Sequence, residues 1–86
     1  MLEQAVNRSD IRAGVVAAIR RIAPEVEEGD LLAHRSLREQ VDLDSMDWLN
    51  VMVALHQRFG VEIPESDYAG LTTLDVIVAY LAGKLP

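Results

Sequence analysis

Ser45 is the hydroxyl of this 86-residue chain whose surroundings most invite chemistry. It lies in Val41-Asp42-Leu43-Asp44-Ser45-Met46-Asp47-Trp48-Leu49, where an acidic turn gives way to an apolar-periodic run. A hydrolytic nucleophile would need a base within hydrogen-bond reach. His56 shares the helical face of Ser45, but eleven residues of helix separate them by about 16 Å. His34 falls in a long connection, where spacing does not exclude it. The flanks of Ser45 are not the glycines of a nucleophile elbow, and two acidic neighbours disfavour an oxyanion beside it. A metal centre is poorly supplied: there is no cysteine, the two histidines are far apart, and the acids lack calcium-loop spacing. Asp44 and Asp47 read first as a helix cap and a first-turn acid facing the helix dipole. They could also share a Mg²⁺ with a partner enzyme's substrate. There is no glycine-rich phosphate loop. On these residues alone, a plain helix cap and a modified serine both stay open.

The remaining chain must position that serine. Its length gives one small domain over residues 1–86, with residues 1–8 expected to be a frayed start. Half the residues are apolar and only 5% aromatic, so the core has to be aliphatic. Without cysteine there is no disulfide, and any acyl-thiol chemistry would need a prosthetic thiol. The net charge of −6 is uneven: residues 1–22 carry +2, residues 23–47 carry −6 and the remainder −2. An acidic middle argues against nucleic acid and for basic partners met by electrostatic steering. The longest apolar or small run, Ala13 to Ile19, falls short of a membrane span. No basic-then-apolar leader pattern opens the chain, so a cytoplasmic monomer is expected.

Ser9 or Asp10 can cap a first helix, with Ile11, Val15, Ala18, Ile19 and Ile22 at helical spacing and Pro24 ending it. The connection from Pro24 to Asp44 is too long for a simple turn. Val26, Leu31, Leu32, Leu37, Val41 and Leu43 punctuate it, so it should pin itself to the core, with one helical turn at Ser36–Gln40. The next helix starts at Asp44 and runs to about Phe59. With Ser45 at 0°, Trp48, Val51, Met52, Leu55 and Phe59 fall at about 240–340°, a core stripe. Met46, Asn50, Val53 and Gln57 fall at about 80–140° and Leu49 near 40°. That leaves apolar surface beside Ser45 beyond what a one-sided helix needs, either a second buried side or a docking face. Gly60 ends the helix, Val61–Pro64 is extended, and a short helix fits Glu65–Ala69. Thr72, with Asp75 three residues on, resembles a capping box for a last helix built on Leu74, Ile77, Val78 and Leu81, closed by Gly83 and Pro86. The sum is three substantial helices, one short helix and one long first loop: an all-α four-helix bundle.

Read together, Leu43-Asp44-Ser45-Met46-Asp47, the aliphatic run to Phe59, Glu62-Ile63-Pro64, Leu71-Thr72-Thr73-Leu74, Tyr80-Leu81 and the anchor Leu37 resemble the acyl carrier protein family from about residue 10 to 85. The resemblance implies a right-handed bundle of that type. It implies 4′-phosphopantetheine on Ser45, transferred from coenzyme A by a phosphopantetheinyl transferase, with Asp44 in transferase and Mg²⁺ recognition. The carrier would be no enzyme. It would hold acyl groups as thioesters for a synthetase or ligase, acyltransferases and other acyl-processing enzymes. Met46, Asp47, Leu49, Asn50, Val53, His56 and Gln57 would meet those partners. Trp48, Met52, Leu55 and Ile63 would line an acyl pocket. The family usually has glycine where this chain has Asp42, a small polar residue at Trp48, and glutamates where Asn50, His56, Gln57 and Arg58 stand. These departures point to a specialised lipid or secondary-metabolite pathway. A peptidyl or aminoacyl carrier shares the fold and serine, and an unmodified interaction bundle is the alternative of a different class.

Overall fold

The computed structural model describes residues 7–85. Four α-helices follow in order: α1 (Arg8–Ile22), α2 (Leu37–Val41), α3 (Ser45–Phe59) and α4 (Leu74–Lys84). Short 3₁₀ segments sit at Glu28–Asp30 and Glu65–Gly70. There is no strand among the described residues, only an isolated antiparallel bridge between Ser36 and Thr73. The architecture is the expected helical bundle.

The core is aliphatic and continuous. α1 packs on both α3 and α4. Ile11, Val15 and Ile19 of α1, Val51, Met52 and Leu55 of α3, and Leu74, Ile77 and Leu81 of α4 are fully buried. Each such side chain is worth about 1.5–3 kcal/mol relative to exposure. Close approach of α1 to the end of α3 depends on Gly14, where a Cβ would lie 2.5 Å from Phe59 Cζ. No buried side-chain nitrogen or oxygen among the described residues lacks a partner.

The long connection is pinned by Leu31, Leu37 and Leu43, which are buried, and by Val26 and Val41, which pack against the core, whereas Leu32 is exposed and does not take part. Backbone bonds add to this: Leu37 N–H donates to Thr72 O at 2.9 Å and Asp75 N–H to Ala33 O at 2.9 Å. Gln40 staples the loop through its side-chain amide. Its Oε1 accepts from Leu32 N at 2.8 Å, and its Nε2 donates to the carbonyls of Leu32 and Arg35 at 2.9 and 3.0 Å.

Three helix starts differ from expectation. α1 is capped by Asn7, whose Oδ1 accepts from Asp10 N at 2.8 Å, rather than by Ser9 or Asp10. Asn7 and Arg8 therefore belong to the helix start, while residues 1–6 of the expected frayed segment lie outside the described residues. α4 is capped by Thr73, whose Oγ1 accepts from Val76 N at 3.1 Å, not by Thr72. Pairing of Ser36 with Thr73 holds Thr73 extended, and Thr72 O is engaged by Leu37. Asp75 is then out of register for a capping box. The last helix also runs through Gly83 to Lys84, with Pro86 outside the described residues, and α2 begins at Leu37, with Ser36 at its N-cap position but making no side-chain capping bond.

Candidate functional site

Ser45 is the first residue of α3 and is exposed. The turn before it is built by a reciprocal capping box. Asp44 Oδ1 accepts from Asp47 N at 2.8 Å, and Asp47 Oδ2 accepts from Asp44 N at 3.4 Å. An acidic cap at the positive end of a helix satisfies orphan N–H groups and suits the macrodipole. It also fixes the angle at which Ser45 leaves the loop. His56 does not approach as a base: its Nδ1 lies 2.9 Å from Val61 O, past the other end of α3. Because a carbonyl only accepts, Nδ1 carries the proton in that contact. Among the described residues, no group of three metal-binding side chains comes together.

One helical turn from Ser45, at Trp48, an open cleft of about 350 Å³ runs between α2, the first turn of α3 and the Glu65–Gly70 segment. Its walls include Ser36, Arg38, Trp48, Glu65, Tyr68 and Thr72. Trp48 is only 6% exposed and forms the inner wall one turn from Ser45. Arg38 is held at the rim, its Nε donating to Leu43 O at 3.2 Å. On the other side, α3 leaves Met46, Leu49 and Val53 exposed at 63%, 38% and 42%. Asn50, His56 and Gln57 are exposed with them. The apolar surface beside Ser45 is thus an outward strip and not a second buried side.

Comparison with known proteins now bears on this arrangement. Residues 13–81 match the family model described as a phosphopantetheine attachment site. The acyl carrier protein of Acidothermus cellulolyticus is 30% identical over 78 residues, covering 91% of this chain and 92% of that one. The chain belongs to the acyl carrier protein family. The acyl carrier protein of Rhodococcus erythropolis is 31% identical over 70 residues, 78% of this chain and 77% of its own. The meromycolate extension acyl carrier protein of Mycobacterium tuberculosis is 30% identical over 76 residues; the chain is covered to 88% but spans 65% of that relative's length. In fold, it is similar to the acyl carrier protein from Enterococcus faecalis, with a TM-score of 0.71 at 17% identity over 92% of this chain and 99% of the other.

The cofactor of this carrier is covalent 4′-phosphopantetheine. When attached it supplies the thiol that the cysteine-free chain lacks. The site fits such a group: an exposed hydroxyl stands at the N-terminus of a 15-residue helix, where a phosphodiester is electrostatically favoured.

The expected acyl-pocket residues are not brought together. Trp48 lines the cleft, while Met52 and Ile63 line a separate groove of about 170 Å³ that also touches Val53, His56 and Tyr68. Leu55 is fully buried and borders neither. The wheel put Met52 and Leu55 on one stripe correctly, but a wheel carries no depth. Arg38, Ser36, Glu65, Tyr68 and Thr72 were not foreseen as cleft residues. They come from two segments about thirty residues apart in sequence, joined by the Leu37–Thr72 bond. The one local signal was that Arg38 is the only arginine or lysine between Ser36 and Gln57.

Proposed function

We propose that Ser45 bears the phosphopantetheine arm and that the protein is an acyl carrier of a specialised lipid or secondary-metabolite pathway. The single observation that carries this is the exposed Ser45 at the first residue of α3, set on the Asp44–Asp47 capping box. A phosphopantetheinyl transferase moves the arm from coenzyme A to Ser45 Oγ. The acyl group then rides as a thioester on the arm's thiol. The carrier itself performs no bond-making on the cargo; tethering raises the cargo's effective concentration at each partner.

Partner enzymes meet the strip of Met46, Leu49 and Val53, with Asp47, Asn50, His56 and Gln57 around it. This strip offers apolar contact beside the attachment point, and its sparse acid content disfavours enzymes that select carriers by negative charge. Asp44 serves the transferase as part of the turn that presents Ser45. Synthetases or ligases, acyltransferases and other acyl-processing enzymes are the partner classes. Relatives named for meromycolate extension support lipid cargo over aminoacyl cargo. No helix among the described residues is long and apolar enough to cross a membrane. A cytoplasmic monomer fits this role.

The test is intact-mass measurement after co-expression with a phosphopantetheinyl transferase. Wild type should gain one arm and Ser45→Ala none. An arm that persists in Ser45→Ala would overturn the assignment.

A further inference from the structure

Leu43, two residues before Ser45, is held from both sides by one residue. Its N–H donates to Arg38 O at 3.3 Å, and its carbonyl accepts from Arg38 Nε at 3.2 Å. Its side chain is buried as well. The turn that delivers Ser45 is thereby clamped from α2. One N–H makes the side-chain half of that clamp, and the guanidinium carries four more. These make no ion pair among the described residues, where the salt bridge present is Arg12–Glu28. At most about 7 Å of extended chain separates the Cα atoms of Leu43 and Ser45, so the guanidinium stands beside the attachment point.

The surrounding charge indicates what those nitrogens meet. Asp42, Asp44 and Asp47 lie within three residues of Ser45, and Arg38 is the only arginine or lysine between Ser36 and Gln57. The acceptor hydroxyl therefore sits among carboxylates, two of which are committed to capping α3. The donor in arm transfer, coenzyme A, is itself a polyanion, with a pyrophosphate and a ribose phosphate. Its approach to this turn is opposed by like charge. In the transfer, Ser45 Oγ forms a bond to the pyrophosphate phosphorus nearer the arm, and its proton passes to a base of the transferase. The bond from that phosphorus to the bridging oxygen breaks, and 3′,5′-ADP leaves with the electron pair. Negative charge thus grows on the phosphate next to the one under attack. A planar guanidinium, anchored at Nε with its terminal nitrogens unpaired, suits that phosphate.

We infer that Arg38 is the carrier's own contribution to donor recognition: it contacts the pyrophosphate of coenzyme A when carrier, transferase and coenzyme A are assembled. This rests on Ser45 as the attachment point. The carrier then offers more than a hydroxyl, because it brings one cation to a donor that the transferase holds. Arg38 reads the donor and no part of the transferase, so its contribution exists only when coenzyme A is bound.

The experiment measures calorimetric binding of the full chain to a phosphopantetheinyl transferase, with and without coenzyme A. Every carrier in it also has Ser45→Ala, so nothing is transferred during the measurement. Glutamine keeps an N–H for Leu43 O and removes the charge. Arg38→Gln should therefore weaken binding to the coenzyme A-loaded transferase about two- to five-fold, the range for a partly exposed ion pair, and leave binding to the empty transferase unchanged. Arg38→Lys should restore part of the loss, and high salt should narrow the gap between the two carriers. A loosened turn would weaken both states alike, so equal weakening with and without coenzyme A, or none in either, overturns the inference. The loss should be the same size with 3′-dephospho-coenzyme A, which keeps the pyrophosphate; a loss that vanishes there puts the contact on the ribose phosphate and overturns the assignment. Amide NMR spectra report whether each variant keeps its fold. If Arg38→Gln does not, the comparison is made between Arg38 and Arg38→Lys, and equal loss in the loaded and empty states again overturns the contact. Intact mass after transferase treatment tests the underlying reading separately: an arm on Ser45→Ala overturns Ser45 as the attachment point, whatever Arg38 does.

Discussion

Asp42 is the described non-glycine residue with positive φ, at φ 59° and ψ 52°. It ends α2, its N–H closing the last turn on Arg38 O, at the position where a helix most often places glycine. Its side chain makes no hydrogen bond among the described residues, so nothing visible offsets the backbone cost. The left-handed region costs an L-residue about 1–2 kcal/mol, with aspartate near the low end. Replacing it with glycine relieves that cost but raises the entropy of the unfolded chain, a loss of about 0.4–1 kcal/mol. Removing an anion from a helix C-terminus returns about 0.3 kcal/mol. Asp42→Gly should therefore stabilise the protein by about 0.3–0.9 kcal/mol, or about 1–7 °C in Tm for a domain of this size. Asp42→Asn should gain only the charge component, because asparagine also tolerates the conformation. Asp42→Val should lose more than about 1 kcal/mol, because a β-branched residue there is a true outlier. Urea denaturation with constant slope, together with thermal melting, checks the series. A Val variant as stable as wild type, or a Gly variant less stable than it, would refute the strain argument.

Three further outcomes follow from packing and charge. Gly14→Ala gains about 1 kcal/mol of helix propensity, but its Cβ would meet Phe59 Cζ at 2.5 Å and Arg58 Nε at 2.9 Å. Overpacking of about 1–3 kcal/mol should win, giving net destabilisation in urea that Phe59→Leu partly rescues in a double-mutant cycle. Tyr80 Oη donates to Asp67 Oδ2 at 2.7 Å, and that bond first, then burial, then the Asp67 charge push its pKa up to about 12 from an ordinary 10. The native state thus favours the neutral phenol. Its contribution is fully present below pH 10 and is lost as pH rises through about 12. Stability followed through that window should fall less steeply in Tyr80→Phe, with Lys84, 5.1 Å from the ring centroid, retained in both proteins; parallel curves would count against the contact. Asn50→Glu with Gln57→Glu restores acid to the docking face while sparing His56, which ties down Val61 O. Acyl transfer by general fatty-acid enzymes should rise several-fold at low salt and lose the gain at high salt; an unchanged rate would mean that charge does not set partner choice.

How much of this was legible in the sequence depended on whether local residues or distant pairings decided each feature. α3 was read with both ends correct because its signals are explicit and local: Asp44 and Asp47 at the start, Gly60 in the left-handed conformation at the end. Its core stripe was equally readable, since Trp48, Val51, Met52 and Leu55 are buried; Ala54 is buried too, and its small side chain gave the wheel little to register. At the start of α1 the sequence was read as capped by Ser9 or Asp10, and Asn7, another residue with a capping oxygen two positions earlier, takes the role instead. Thr72 was preferred as the cap because Asp75 stands three residues on, but Leu37 engages the Thr72 carbonyl and Ser36 pairs with Thr73, which takes the role. The same long-range pairing assembles the cleft, so no window of sequence contained it. Gln40 was invisible for a related reason: its three hydrogen bonds go to backbone groups, and backbone leaves no mark in composition.

Two of the departures from the family's usual residues, Asp42 and Trp48, flank one piece of structure. Asp42 turns the chain out of α2 in the left-handed conformation. The carbonyl of the very next residue, Leu43, receives Arg38 Nε from within α2. Trp48, one turn into α3, walls the cleft whose rim Arg38 occupies. So Asp42 at the turn, Arg38 anchored on Leu43 O and the Trp48 wall of the cleft follow one another closely, while Ser45 stands on the reciprocal Asp44–Asp47 cap. What is common to such carriers is held by the helix start, and what is particular to this one is built into the α2–α3 turn and the wall of the cleft. The strip proposed for partner docking lies on the opposite side of α3, where Met46, Leu49 and Val53 stand exposed among neutral polar residues. Because the cleft lining and the exposed strip have no residue in common, a substitution in one should leave the surface of the other unchanged.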